Sequence, residues 1–311
     1  MELGAPAEVW PSVTAVIPTK DRPVLLRRAV RAVLEQTYPG HVECIVVYDG
    51  TEPAVPEVAV PENRTLSVLV NNRTPGLAGN RNTGYLAASG DYAASCDDDD
   101  EWLPDKLVAQ VALLRSRPDA GAAASGFLLN YEGRDMERVA AAAELSFLDM
   151  LESRHSEANA STYLFRRDVL LNSVGLVDEK LPGSYAEDYE LLLRAARLGP
   201  IVCVQRPLTR VYTHKSSFFA GRWRTIDEAL RQLVQIVPEF EDVPVGIARI
   251  EGQRAFAKAA LGQRREALEL ARRSLRRSIR VKQSWAAILI AARLVSAERV
   301  LATAQRFGYG I

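Results

Sequence analysis

Through residue 120, near-continuous apolar runs alternate with segments of helical period. Val13-Thr14-Ala15-Val16-Ile17, ended by Pro18, has the pattern of a strand covered on both faces. From Pro23 to Gln36, Leu25, Leu26, Ala29, Val30, Val33 and Leu34 recur on one helical face, with Asp21 as N-cap and Pro23 in the first turn. The same reading predicts strands over 42–47 and 66–70, a helix over 77–88, a strand over 92–96 and a helix from about Pro104. Residues 51–64, rich in Pro and Glu, read as a surface connection. This alternation predicts an α/β fold with a parallel-type sheet between helical layers.

The pattern then becomes less regular. Strands are expected over 122–130, 161–165, 201–204 and 208–212, and a helix over 189–198 stopped by Gly199-Pro200. Such a mixture suggests a sheet continued by antiparallel strands. From about Arg222 to Phe307 the chain reads as all-helical, with breaks near Pro238, Pro244, Gly262 and Gln283. Residues 255–275 resemble one helical hairpin, but no second copy supports a repeat array. The expected division is residues 1–221, with halves of about 12–120 and 121–221, followed by a helical region 222–311.

Composition narrows the function classes. The 311 residues include 39 Lys+Arg and 39 Asp+Glu, so no global field draws nucleic acid, and none is expected as a partner. Cys44, Cys96 and Cys203 lack disulfide-framework or zinc spacing and read as reduced core residues of a cytoplasmic protein. The start of the chain lacks a basic-then-apolar leader, so no signal peptide is expected, and the longest apolar run, Trp285 to Ala292, is too short to span a membrane. Arg264, Arg265, Arg272, Arg273, Arg276, Arg277, Arg280 and Lys282 face only Glu266 and Glu269, with Leu268, Leu270, Leu275 and Ile279 opposite. This basic amphipathic segment has two readings: peripheral contact with an anionic membrane, or a bundle helix packed on the rest of the chain or on a second copy in a homodimer.

Ligands of open parallel sheets bind beyond the carboxyl ends of the strands. Three polar clusters occupy those ends: Pro18-Thr19-Lys20-Asp21, Tyr48-Asp49-Gly50-Thr51, and the acidic run Asp97-Asp98-Asp99-Asp100-Glu101 before Trp102. Crowded carboxylates repel one another unless a cation sits among them, and hard divalent cations prefer oxygen ligands. Acids before a helix also complement its dipole, which is the simpler reading of the run alone. Three clusters at three strand ends favour a site in one crevice.

The segments Val16-Ile17-Pro18-Thr19-Lys20-Asp21-Arg22-Pro23, Leu34-Glu35-Gln36-Thr37-Tyr38-Pro39, Ile45-Val46-Val47-Tyr48-Asp49-Gly50-Thr51, Gly79-Asn80-Arg81-Asn82-Thr83-Gly84, Asp97 to Pro104, and Ala186-Glu187-Asp188-Tyr189-Glu190-Leu191 occur in an order that resembles family 2 glycosyltransferases with the GT-A fold. The resemblance covers about residues 12–217 and leaves the helical tail outside. It implies an inverting, metal-dependent transfer of a sugar from a nucleotide-sugar, most simply a UDP-sugar with a dTDP-sugar as the alternative, to a hydroxyl of a glycan, lipid-linked sugar or small molecule. Mn2+ or Mg2+ is the implied cofactor. A cytoplasmic location, peripheral at the inner membrane face, would suit a lipid-linked acceptor.

By the same resemblance, Pro18, Thr19, Lys20 and Arg22 line the nucleotide site. Asp49 accepts a hydrogen bond from the uracil imide, which cytosine lacks. Arg81 reaches a phosphate or base edge, and Asp97 and Asp98 hold ribose or sugar hydroxyls. Asp99 ligates the metal, with His214 of Arg210-Val211-Tyr212-Thr213-His214 as a further metal or phosphate ligand. Asp100 and Glu101 cap the next helix. Asp188 is the catalytic base, with Glu187 the fallback, and Trp102 and His155 are candidate walls for sugar and acceptor. The chain departs from the family pattern at Lys20-Asp21, where an aromatic-Asn pair is usual, and at Tyr48-Asp49, where two Asp are usual. Two other functions remain: a nucleotidyltransferase of similar fold, whose glycine-rich phosphate loop is missing after the first strand, and a non-catalytic sugar-binding protein, in which Asp99 or Asp188 should have been lost.

Overall fold

The computed structural model describes residues 9–155, 157–213 and 221–306. The first half runs β1 (Val13–Thr19), α1 (Pro23–Leu34), β2 (Val42–Tyr48), β3 (Arg64–Val70), α2 (Leu77–Ala87) and β4 (Tyr92–Ser95). β1 pairs in parallel with β2 and β4, and β2 with β3. All seven residues of β1 are buried, as its apolar run requires of a central strand. One detail differs at the entry to α1. Asp21 takes a φ of 52°, and Arg22 occupies the N-cap position without a side-chain cap, so the expected Asp21 cap does not form.

The second half contains β5 (Glu101–Trp102), α3 (Lys106–Ser116), β6 (Ala122–Tyr131), β7 (Arg134–Arg138), β8 (Glu144–Leu145), α4 (Phe147–Glu152), β9 (Leu164–Arg166), α5 (Arg167–Val169), α6 (Glu187–Leu198) and β10 (Ile201–Thr213). The strand order is β3-β2-β1-β4-β9-β6-β10-β5. The predicted antiparallel continuation is present in β9, which separates β4 from β6, while β6 and β10 pair in parallel. The two short strands expected over 201–212 are one strand. Its register shifts on either side of Pro207, which has no N–H for the ladder.

The tail forms α7 (Trp223–Ile236), α8 (Pro244–Ala260), α9 (Arg264–Arg277), α10 (Lys282–Ala291) and α11 (Ala297–Arg306). Ile226, Leu230 and Leu233 of α7 and Ile247 and Ile250 of α8 share one apolar cluster with Tyr189, Leu191 and Leu192 of α6. The tail is therefore packed on the sheet region rather than hung beside it. α9 buries Ala267, Leu270 and Ala271 with Ala255 and Ala259 of α8. Its apolar face is thus used inside the bundle, while Ile279, just past its end, is exposed. Among the described residues no helix is long and apolar enough to cross a membrane. All three cysteines are free and buried.

Lys106, at the start of α3, is wholly buried. Its Nζ donates to Gln110 Oε1 at 2.6 Å and lies 4.2 Å from the centre of the Trp102 ring. Burial pushes its ammonium down to about 7. The folded state therefore binds fewer protons than the unfolded chain between pH 7 and the ordinary lysine value of 10.5. The cost of burying the charge is full below pH 7 and fades as pH rises. Wild-type stability relative to Lys106→Met should accordingly rise by roughly a few kcal/mol between neutral pH and about pH 10. Urea unfolding of both proteins at the two pH values measures it, and a pH-independent difference would exclude the buried charge as its source.

Candidate active site

β1, β2 and β4 end side by side, so Thr19, Asp49 and the acidic run after Ser95 share one crevice. α2 closes against it through two glycines. A Cβ at Gly79 would lie 2.0 Å from the Thr74 carbonyl oxygen, and one at Gly84 would lie 2.2 Å from Val16 Cγ1. The close approach that these glycines permit brings Arg81 beneath the strand ends.

Asp49 is buried and organises the turn before α2. It accepts from Asn71 Nδ2 at 2.9 Å and from the Gly76 N–H at 3.1 Å, and Lys20 Nζ stands 3.8 Å from its Oδ2. Lys20 itself is mostly exposed, so its ammonium lies at the rim. Pro18 stays within β1, paired with Val47.

The acidic run alternates. Asp97 and Asp99 keep 32% and 22% of their side-chain surfaces open, whereas Asp98 and Asp100 are buried. Asp98 turns inward, where Thr19 Oγ1 donates to it at 2.6 Å and the Arg22 guanidinium pairs with both its oxygens. Burial pushes its carboxyl up to about 6, against the pull of Thr19 and Arg22. Arg22 also donates to Asp99 at 2.7 Å, and Arg28 Nη2 donates to the Asp99 carbonyl at 2.6 Å. Of the residues expected to line the nucleotide site, Thr19, Arg22 and Asp98 are thus engaged with one another.

Asp100 and Glu101 do not cap a helix, because α3 begins only at Lys106. Asp100 accepts from Ser161 Oγ at 2.6 Å and the Tyr212 N–H at 3.3 Å. Glu101 pairs with Arg28 at 2.8 Å and accepts from the Tyr212 hydroxyl at 3.0 Å. Trp102 is no sugar wall. It is buried in the core, and its indole N–H donates to the Ser161 carbonyl at 2.9 Å.

Arg81 takes a different place from the one expected of a phosphate ligand. It is 1% exposed and is held by Asp97 at 2.6 Å, by Glu187, and by Ser95 Oγ at 3.2 Å. A guanidinium this deep needs carboxylates around it to offset lost hydration. It therefore links the acidic run to the loop entering α6. That loop is conformationally costly at two residues that bear a Cβ, Ser184 and Ala186, with φ of 56° and 65°. Ser184 Oγ accepts the Ala78 N–H at 3.2 Å, tying the loop to the start of α2.

The loop delivers two unlike carboxylates. Glu187 is sealed beneath Arg81, and burial pushes its carboxyl up to about 7 although Arg81 opposes the shift. Asp188 keeps an open edge and receives Arg154 Nη2 at 3.2 Å and the Tyr189 N–H at 2.8 Å. His155 is half-buried, with Nδ1 3.0 Å from Glu157 and Nε2 3.3 Å from the Asp149 carbonyl. Its hydrogen bond to Glu157 raises its pKa. His214 lies outside the described residues, and Arg210 of the same motif pairs with Asp135 at 3.1 Å.

Arg28, Asn71, Arg154 and Ser161 were missed from sequence. Ser161 and Arg154 lie in the stretch where motifs fade, and neither carries a local signal. Among the described residues no three His, Cys, Asp or Glu side chains form a ready-made metal cage. A divalent cation that takes one or two carboxylates and completes its shell with diphosphate oxygens still fits here, since Asp99 keeps 22% of its side chain open while its Oδ2 accepts from Arg22.

Residues 14–170 match the family model described as Glycosyl transferase family 2. The chain is 32% identical over 220 residues to the succinoglycan biosynthesis protein ExoO of Rhizobium meliloti, covering 65% of this chain and 60% of that protein. It is 33% identical over 101 residues to the GalNAc(5)-diNAcBac-PP-undecaprenol beta-1,3-glucosyltransferase of Campylobacter jejuni, covering 31% of this chain and 32% of that protein. Both matches thus span less than two thirds of the relative's length. Among solved structures, S. aureus TarS 1-349 in complex with UDP-GlcNAc superposes with a TM-score of 0.58 at 13% identity, over 96% of this chain and 92% of that one. The mannosyltransferase PcManGT from Pyrobaculum calidifontis, in complex with GDP-Man and Mn2+, superposes with a TM-score of 0.53 at 20% identity, over 98% and 84%. The fold, a mixed sheet between helices with further helices after it, is the GT-A fold of these glycosyltransferases. The chain belongs to glycosyl transferase family 2.

Proposed function

We propose that the protein is an inverting glycosyltransferase that moves a sugar from a UDP-sugar to an acceptor hydroxyl in glycan or polysaccharide synthesis. The observation that carries this reading is the pairing of two differently placed carboxylate groups across one crevice. Asp97 and Asp99 open from the strand ends, Asp188 opens from the start of α6, and buried Arg81 joins the two sides.

Asp49 accepts the imide N–H of the base, with Lys20 at the rim beside it. A divalent cation held by Asp99, Mn2+ or Mg2+, would neutralise charge on the departing diphosphate. Asp97 accepts from donor hydroxyls. Asp188 takes the proton of the acceptor hydroxyl as that oxygen bonds to the anomeric carbon, opposite the leaving nucleoside diphosphate. One displacement inverts the anomeric centre. Arg154 orients Asp188, and Glu187 positions the loop through Arg81 rather than reacting.

Thermal melting with UDP, dTDP, GDP or CMP, each with and without Mn2+, tests donor and metal together. UDP with Mn2+ at about 100 times its dissociation constant should add about 2.7 kcal/mol of stability. Asp99→Ala should lose the Mn2+-dependent part and keep the rest. A shift with GDP alone would move the donor away from uracil, and a metal response retained in Asp99→Ala would remove that residue as the ligand.

A further inference from the structure

Two open cavities lie among the tail helices, and they differ in charge balance. The one of about 470 Å3 between α7, α8 and α9 is neutralised from within, since Asp227 pairs with Arg254 at 2.9 Å and Lys258 at 3.1 Å, and Glu266 pairs with Lys258 at 2.7 Å. The other, of about 650 Å3, lies between the start of α8 and the turn from α9 to α10; its charged lining is Arg249, Arg276, Arg277, Arg280 and Lys282 against a single acid, Glu152. From Leu270 to Leu294 the chain has seven basic residues and no acidic one. Arg273 and Arg277 pair with Glu251 at 2.7 and 2.6 Å. Arg276 and Arg280 are exposed and have no carboxylate partner among the described residues. Deeper in, Arg249 Nη2 donates to the Tyr189 hydroxyl at 2.8 Å, while its Nε is buried without an acceptor.

An apolar stripe adjoins this basic cavity. Ile279 is 74% exposed and Trp285 51%. They are neighbours, since the Trp285 indole N–H donates to the Ile279 carbonyl at 2.9 Å. Leu289 follows Trp285 by one helical turn, and Leu294 continues beyond α10; both are exposed. Exposed aromatic and aliphatic side chains edged by arginines match the boundary between phosphate head groups and acyl chains. A second copy of the chain is a poorer occupant, because a two-fold contact through this face would set arginines against arginines.

We propose that the face made by the end of α9, the following turn and α10 docks on an anionic lipid bilayer. Lipid phosphates enter the Arg249–Arg276–Arg280 cavity, and Ile279, Trp285 and Leu289 enter the interface. The contact is made by α10 and its preceding turn, because α9 has already spent its apolar face on α8. The cavity is joined through Arg249 to Tyr189, the residue after Asp188, so docking would bring the acceptor side towards the bilayer. This last link rests on the proposed function; the docking itself does not.

The test is flotation of the full chain with phosphatidylcholine vesicles, with and without phosphatidylglycerol, at low and high salt. Binding should require phosphatidylglycerol and weaken with salt. Near an anionic surface each arginine contributes about fivefold in partitioning, so Arg276→Ser with Arg280→Ser should weaken binding about 25-fold. Trp285→Ser should weaken it as well, with melting temperatures of both variants unchanged. Absent binding, equal binding to neutral vesicles, or indifference to the arginine pair would overturn the proposal. So would a dimer that Trp285→Ser converts to monomers, which would make the face a contact between copies. UDP-dependent melting in the same samples reports the donor site separately.

Discussion

Asp188→Asn is expected to bind donor like the wild type and to lose transfer by about a thousandfold, within the usual range for removing a general base. The substitution keeps the side chain's shape and leaves an oxygen to accept the Tyr189 N–H at the start of α6. It removes the basic oxygens that would receive the acceptor proton. The consequence should therefore fall on kcat, with donor affinity and melting temperature nearly unchanged. Glu187→Gln provides the contrast. It weakens a buried contact with Arg81 and should lower stability before it lowers the chemical rate. Steady-state kinetics with donor titration separates the two, and a near-wild-type rate for Asp188→Asn would exclude it as the base.

Arg81→Met is expected to cost about 3–5 kcal/mol, the usual scale for breaking a buried ion pair. For a chain of this size that amounts to a fall on the order of 10 °C in melting temperature. Methionine fills much of the volume, so the loss arises mainly from Asp97 and Glu187 left without a guanidinium. Its pH dependence identifies the cause. Burial already raises both carboxyls while Arg81 holds them down. Without Arg81 they should rise further, and a group whose folded pKa is raised contributes stability at low pH that is lost as pH rises through that value. The variant should therefore lie closer to wild type at about pH 5 than at pH 8. A deficit that does not change with pH would point to packing instead. Arg81→Met combined with Glu187→Leu should recover part of the loss, because apolar substitutes for a buried pair are often tolerated.

The strands were legible because each is a short apolar run whose covering depends on period alone. β1, β2 and β3 begin and end within about two residues of the predicted limits, and the breaks between tail helices fall near the expected prolines and glycine. The crevice was legible too, since a parallel strand places whatever follows it at one edge of the sheet. That is why Thr19, Asp49 and the acidic run lie together although they are far apart in sequence. The β10 strand was divided because Pro207 reads locally as a terminator, while the β6 ladder holds the strand across it.

Sequence by itself determined the layered α/β architecture, the helical tail, the position of the acidic run at a strand end, and the motif that places two carboxylates at the start of α6. These follow from periodicity and from residues within a few positions of one another. The tertiary structure decided which carboxylates are buried and which partners each one has. It turned Asp98 and Asp100 inward and Asp97 and Asp99 towards the crevice, buried Arg81 between Asp97 and Glu187, and gave Asp100 to Ser161 and Tyr212 instead of to a helix. The reason is electrostatic. The cost of a buried charge is set by the partners that surround it, and here those partners arrive from segments distant in the chain, where no local pattern records them.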